Sequence, residues 1–339
     1  MENIANKLKE YKEVLEQMPT KADAQKVSRE KFTLLLSGIS ACRQVPGILG
    51  HMGYDTLYHC VSEKHKEMVR EHLRDLRGIV DKDSLFQMCF DEYSMGNEYE
   101  QFMTFWKDAP LFDVEKLNEA GKAEFTKCKA VAETFYPMLE EKGICAWDIS
   151  ERIGLCRIAV ACDIITEEEF WENTTKWVDR AQVFYHSFQE YAFGCLCGAV
   201  YYMSKYDSQV EKFLEINWNV VQALFEENAA WAKNAWYVPE KREWAHLLNE
   251  NPGCIVTKKV LETEKIGYIV KEEPLENRPD SGWRIFTGDE SQEYLDDMEN
   301  ITVVGLNSIC NLDITVMAYL HAKPGRKFRK KENVWVEEK

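Results

Sequence analysis

Within residues 280–290 the chain sets Asp280, Ser281, Trp283 and Arg284 ahead of Asp289 and Glu290. The carboxylates offer sites for basic groups. Arg284 can grip a carboxylate with two parallel N–H donors. Trp283 is the type of residue that anchors a protein interface when it is exposed. The same residues have a second use. Trp283 can fill a core, Arg284 can pair with an acid of its own domain, and Gly282 and Gly288 can supply backbone angles that other residues avoid. Residue types alone leave both arrangements open. In the first half of the chain, Trp147 and Asp148 stand at what reads as a helix start, with Asp148 as N-cap and Glu151 closing a capping box. Asp148 then serves backbone donors and Trp147 packs in front of it. Arg157 and the glycines Gly194 and Gly198, four apart, take structural roles in the same region.

The sequence carries none of the common catalytic signatures. There is no G-x-S-x-G elbow, no Walker A loop and no dinucleotide fingerprint. The eleven cysteines include no C-x-x-C pair, and Cys195 and Cys197 stand too close together for a zinc half-site. His51, His59, His65 and His72 read as surface helix residues, since no H-E-x-x-H is present. No catalytic residue, metal or cofactor is assigned.

The elements that must position these groups change character along the chain. Helical periodicity covers 1–18, Val27–Cys42, Glu63–Leu76, a helix from Asp81 or Asp83 to about Tyr93, and about Asn97–Trp106. A long run from Val114 to Lys142 carries Pro137, which should kink or split it. Further helices begin at Asp148 and at Thr166, where Glu169 completes a capping box. The segment Phe188–Met203 is apolar nearly all round and reads as a central buried helix. Asp207–Glu227 and Ala229–Leu248 complete the helices. Breaks are expected at Thr20–Ala24, Val45-Pro46-Gly47 and Met95-Gly96. Asn249 to Gly253 reads as a junction. Beyond it, Cys254–Thr257, Ile266–Val270, Trp283–Phe286, Thr302–Leu306 and Lys327–Val336 read as strands, with turns at 279–282 and 288–289 and a short helix at 291–297. The expected fold is multidomain. An all-α domain over 1–250 precedes a small α+β domain over 251–339 with a mainly antiparallel sheet.

The chain has 339 residues and a net charge of −16. Most of that charge belongs to the first 250 residues. Such a field repels phosphate backbones and attracts basic partners, which argues against direct nucleic-acid binding. The basic tail (Lys323, Arg326, Lys327, Arg329, Lys330, Lys331) and the acidic stretch 289–299 either face each other or are separately solvated. The longest nearly apolar run, Tyr191–Met203, is too short to span a bilayer. The charged N-terminus has no signal-peptide pattern. A cytoplasmic protein with reduced thiols and no membrane partner is expected.

Two stretches resemble known families. The residues DSGWR at 280–284, Phe286-Thr287-Gly288-Asp289-Glu290, the opening Gly253-Cys254-Ile255-Val256-Thr257, Ile266-Gly267-Tyr268, Tyr294-Leu295, Ile309-Cys310-Asn311 and Pro324-Gly325 resemble the immunity protein 33 family of bacterial polymorphic toxin systems. WDIS…LCR (147–157), IITEEEFW (164–171) and FQEYAFGCLCGAVYY (188–202) resemble domain-of-unknown-function family 1266. That pattern tends to be basic where this chain has Glu151 and Gly where it has Asp163, while Arg157 matches. The first resemblance implies a non-enzymatic immunity protein that binds and neutralises a protein toxin, for which the acidic charge suits a basic nuclease. Its expected interface is Asp280, Ser281, Trp283, Arg284, Asp289 and Glu290. The alternatives are a regulatory module with a small-ligand pocket, and an uncharacterised enzyme in the helical domain.

Overall fold

The computed structural model describes residues 2–18, 24–43, 54–89, 97–108, 110–206, 209–239, 244–248, 250–331 and 334–338. The expected breaks at Val45-Pro46-Gly47 and Met95-Gly96, most of the one at Thr20–Ala24, and His51 lie outside these residues. The chain forms two compact units, Met1–Glu243 and Trp244–Lys339.

The first unit is helical. Its elements are α1 (Glu2–Gln17), α2 (Arg29–Leu36), α3 (Gly38–Cys42), α4 (Glu63–Arg77), α5 (Lys82–Cys89), α6 (Asn97–Phe105), α7 (Glu119–Leu139), α8 (Cys145–Ala161), α9 (Glu167–Phe184), α10 (Phe188–Ser204) and α11 (Val210–Phe225). Local chemistry sets several ends. The Ser62 hydroxyl accepts from the His65 N–H to start α4, and Gly78, at φ +68, stops it. Thr166 and Glu169 form the reciprocal capping box that starts α9. Ser187 caps α10. On α10 only Gln189, Glu190, Tyr202 and Met203 escape burial, as a central helix requires.

Four expectations about the helices are corrected. The run Val27–Cys42 is two helices, broken at Ser37, whose hydroxyl donates to the Leu34 carbonyl and accepts from Arg157. The long run begins as a helix only at Glu119, and Pro137 does not split it, because the proline falls in its last turn. Asp148 is not an N-cap, since α8 begins at Cys145. Ala229–Leu248 does not form a helix among the described residues. Hydrogen bonds hold its first part in turn and extended conformation: Trp231 Nε1 donates to the Leu35 carbonyl, and the Gln25 backbone donates to the Lys233 carbonyl and accepts from the Ala235 N–H. Pro239 would in any case break a helix there.

The second unit is a six-stranded sheet in the order β4-β1-β3-β2-β5-β6. Its strands are β1 (Gly253–Thr257), β2 (Tyr268–Lys271), β3 (Asp280–Phe286), β4 (Ile301–Gly305), β5 (Lys327–Lys331) and β6 (Val334–Glu338). Helices α12 (Lys258–Thr263), α13 (Gln292–Asp296) and α14 (Leu306–Leu312) connect them. β1 pairs parallel with β3, with Ile255 opposite Arg284, and the other pairings are antiparallel. The expected turn at 279–282 is instead the start of β3. Asp280, Ser281 and Gly282 belong to the strand, and Gly282 adopts φ +75 within it. The single tail strand expected at Lys327–Val336 is the β5–β6 pair. Cys254, Val256, Ile269, Trp283 and Ile285 form the sheet's core with Val260, Leu306, Ile309 and Cys310 from the helices.

Candidate functional site

β3 has neighbours on both sides, so Ser281 to Ile285 are buried without interruption. Trp283 is only 1% exposed and packs near Phe328, with the Lys271 ammonium 5.2 Å from its ring centroid. It therefore fills the core and presents no anchor to a partner. Arg284 is also buried. Its Nη1 and Nη2 donate to the two oxygens of Asp280, each at 3.0 Å, and its Nε donates to Glu272 at 2.7 Å. The bidentate grip foreseen for a partner's carboxylate is taken by the chain's own. Asp280 also accepts from the Leu275 and Gly282 N–H groups. The Arg284 guanidinium holds the Asp280 carboxyl down at about 2. The Ser281 hydroxyl accepts from the Trp283 N–H, and its carbonyl accepts from Lys271.

The other end of the motif is a loop clamp. Glu290 accepts from the Thr257 hydroxyl and from the N–H groups of Thr287 and Gly288. Burial opposes its ionisation, but these donors hold its carboxyl below the usual range. Only Asp289 of the six motif residues is exposed, where it pairs with Lys259 at 2.9 Å. Past it, Glu293, Asp296, Asp297 and Glu299 are exposed, and Met298 is 75% exposed. The basic tail pairs elsewhere: Arg326 with Glu337, Arg329 with Glu338 and Lys330 with Asp313.

The helical unit contains a cleft of about 290 Å³, lined from α3, α4, α5, α6, α8 and α10. Trp147 and Asp148 are both on its wall. Asp148 does serve a backbone donor, but on another helix. Its Oδ2 accepts from Tyr99 N at 2.7 Å, in the first turn of α6. Burial pushes the Asp148 carboxyl up to about 7, opposed by Arg152 and reinforced by Glu98. The other wall acids are paired, Glu98 with Lys205 at 2.7 Å and Glu151 with Arg43. The Arg43 guanidinium also lies over the Trp147 ring, 4.8 Å from its centroid. Arg152 donates to the Met88 carbonyl.

Arg157 lies outside this cleft. It is fully buried, donates to Ser37 Oγ at 2.9 Å and the Thr56 carbonyl at 2.6 Å, and stacks on Tyr58. Gly194 and Gly198 are where α10 meets α8. A Cβ on Gly198 would overlap Trp147, and one on Gly194 would press on Ala146 and Tyr185. Asp163, just past α8, has φ 60, the left-handed conformation that glycine adopts most readily. Sequence reasoning missed Glu98 on the cleft wall, and Arg43 and Lys205 as the partners of its acids, because the paired residues are distant along the chain and no local pattern marks them.

Residues 53–236 match the model of the family described as Protein of unknown function (DUF1266), over half of the chain. Residues 254–338 match that of the Immunity protein Imm33 domain. No curated protein and no solved structure matches the chain. Among the described residues no helix is long and apolar enough to cross a membrane.

Proposed function

The chain belongs to the DUF1266 family of proteins of unknown function and carries an Imm33 domain, and from this premise we propose that it is an immunity protein that binds and neutralises a protein toxin of a bacterial polymorphic system. The match of residues 254–338 to an immunity domain carries this reading. Inhibition is stoichiometric, by occupancy and without catalysis. The protein acts in the cytoplasm.

The arrangement of the motif supports a division of labour. Asp280, Ser281, Trp283, Arg284 and Glu290 hold β3 and its following loop, and Asp289 with the exposed acids up to Glu299 meets the toxin. Met298 supplies apolar contact beside those acids. An acidic face of this kind suits a basic toxin, with a nuclease as the class whose own substrate demands positive charge.

The test uses the full chain carrying Asp296→Lys, Asp297→Lys and Glu299→Lys together. All three positions are exposed, so native circular dichroism is expected. The variant should no longer protect cells that express the toxin encoded beside this gene, whereas the native chain should. Full protection by the folded variant would remove the acidic segment from the interface. Failure of the native chain to protect would remove the toxin-neutralising reading itself.

A further inference from the structure

The cleft of the helical unit holds groups that toxin binding through the sheet unit leaves unused. Asp148 is 4% exposed, and while its Oδ2 takes the Tyr99 N–H, its Oδ1 takes no hydrogen bond among the described residues. The neighbouring acids Glu98 and Glu151 are neutralised by Lys205 and Arg43. Asp148 is the acid left over. On α4, His72 is half-buried and Arg77 exposed, and both line the same cleft with neither an ion pair nor a hydrogen bond among the described residues. An acceptor thus waits at depth and two basic groups wait nearer the solvent. Trp147, Leu155 and Tyr202 also line the cleft, giving it apolar and aromatic surface.

Asp148 Oδ1 opens onto the cleft, where a donor that enters the site can pair with it. A cation there also returns Asp148 to its ionised form, against the burial that otherwise favours the acid. At about 290 Å³ the cleft accommodates a small metabolite and excludes a folded partner. We propose that this cleft binds a small amphoteric molecule, its cationic nitrogen on Asp148 and its oxyanion, a carboxylate or a phosphate, on His72 and Arg77.

Calorimetry and thermal unfolding of the full chain test this with four probes. L-Arginine joins a guanidinium to a carboxylate, and phosphoethanolamine joins an ammonium to a phosphate. Agmatine offers cationic nitrogen alone and succinate offers carboxylate alone. At least one amphoteric probe should raise Tm saturably, and which of the two does so identifies the oxyanion. The single-ended probes should bind about tenfold more weakly or worse, the loss expected for a charged hydrogen bond. Asp148→Asn should abolish the effect. If that variant does not fold, the exposed Arg77→Ala carries the test and should weaken binding about tenfold. The proposal falls if neither amphoteric probe binds saturably, if a single-ended probe binds as well, or if binding is unchanged in the folded variants. None of these outcomes bears on protection against a toxin.

Discussion

Arg284 satisfies Asp280 and Glu272 at once while itself almost out of contact with water, so its removal is a stability event before it is a binding event. Arg284→Ala strands the Asp280 carboxylate and should cost about 3 kcal/mol or more in denaturant unfolding of the sheet unit. A loss below about 1 kcal/mol would mean that the pair behaves like a surface pair. Acid should act on the same contact. The Asp280 carboxyl is depressed from 3.8 to about 2, so its contribution is present above about 4 and is lost as pH falls through about 2. Asp148 has the opposite sign. Its carboxyl is raised from 3.8 to about 7, so the folded state holds a proton that the unfolded state releases between those values. Stability from this group is present below about 3.8 and is lost as pH rises through about 7. The groups facing it are Cys145 and Arg152 on its own helix, Glu98 and the Tyr99 N–H from α6, Arg180 from α9, Tyr201 on α10 and Lys205 at the end of α10. In urea titrations followed by helical circular dichroism, Asp148→Asn should remove a slope of up to about 1.4 kcal/mol per pH unit across that window. An unchanged slope would show that Asp148 is ionised throughout.

The α8–α10 contact is the clearest case of an element defined by what it lacks. At an ordinary helix site, Gly→Ala gains about 1 kcal/mol. At Gly198 the new methyl would overlap the Trp147 side chain, so the sign should reverse and Gly198→Ala should cost about 1–3 kcal/mol in thermal or chemical unfolding. A stabilised variant would show that the helices can separate freely there. The spacing of Gly194 and Gly198 was legible in the sequence as structural. Its partner was not, because nothing near Gly198 names Trp147. The cap at Thr166 was legible for the same reason that it works: donor and acceptor are within one helical turn, as they also are at Ser62 and Ser187, which the structure adds. The break at Ser37 was illegible, since it accompanies a hydrogen bond from Arg157, far along the chain.

The two units set out a prediction about the chain as a whole. Asn311 and Asn307 on α14 receive the Ala245 and Leu247 N–H groups, each at 2.8 Å, and both asparagines donate to the Ala245 carbonyl at 2.9 Å. Leu247 is fully buried. The helix-to-strand change in the sequence placed the junction at Asn249 to Gly253, and we propose that the folding unit reaches back to Trp244. A chain beginning at Trp244 should unfold cooperatively, at a Tm at least about 4 °C above one beginning at Asn251, the shift expected for about 1 kcal/mol in a unit of this size. Equal Tm values would show that residues 244–250 contribute nothing to the sheet unit.

The sequence by itself determined a helical region followed by a mainly antiparallel α+β unit, and most helix ends. These depend on periodicity and on contacts between near neighbours. It also carried both family patterns, because ordered motifs such as DSGWR and WDIS survive as residue strings. Tertiary structure decided what those strings do. Whether Trp283 faces water or a core depends on β3 acquiring neighbours on both sides, which no residue of β3 specifies. Whether Asp148 caps its own helix or another depends on α6 being delivered to it from a distant part of the chain. Burial and partnership are properties of assembled neighbours, and it is these that fix a carboxylate near 2 in one unit and near 7 in the other.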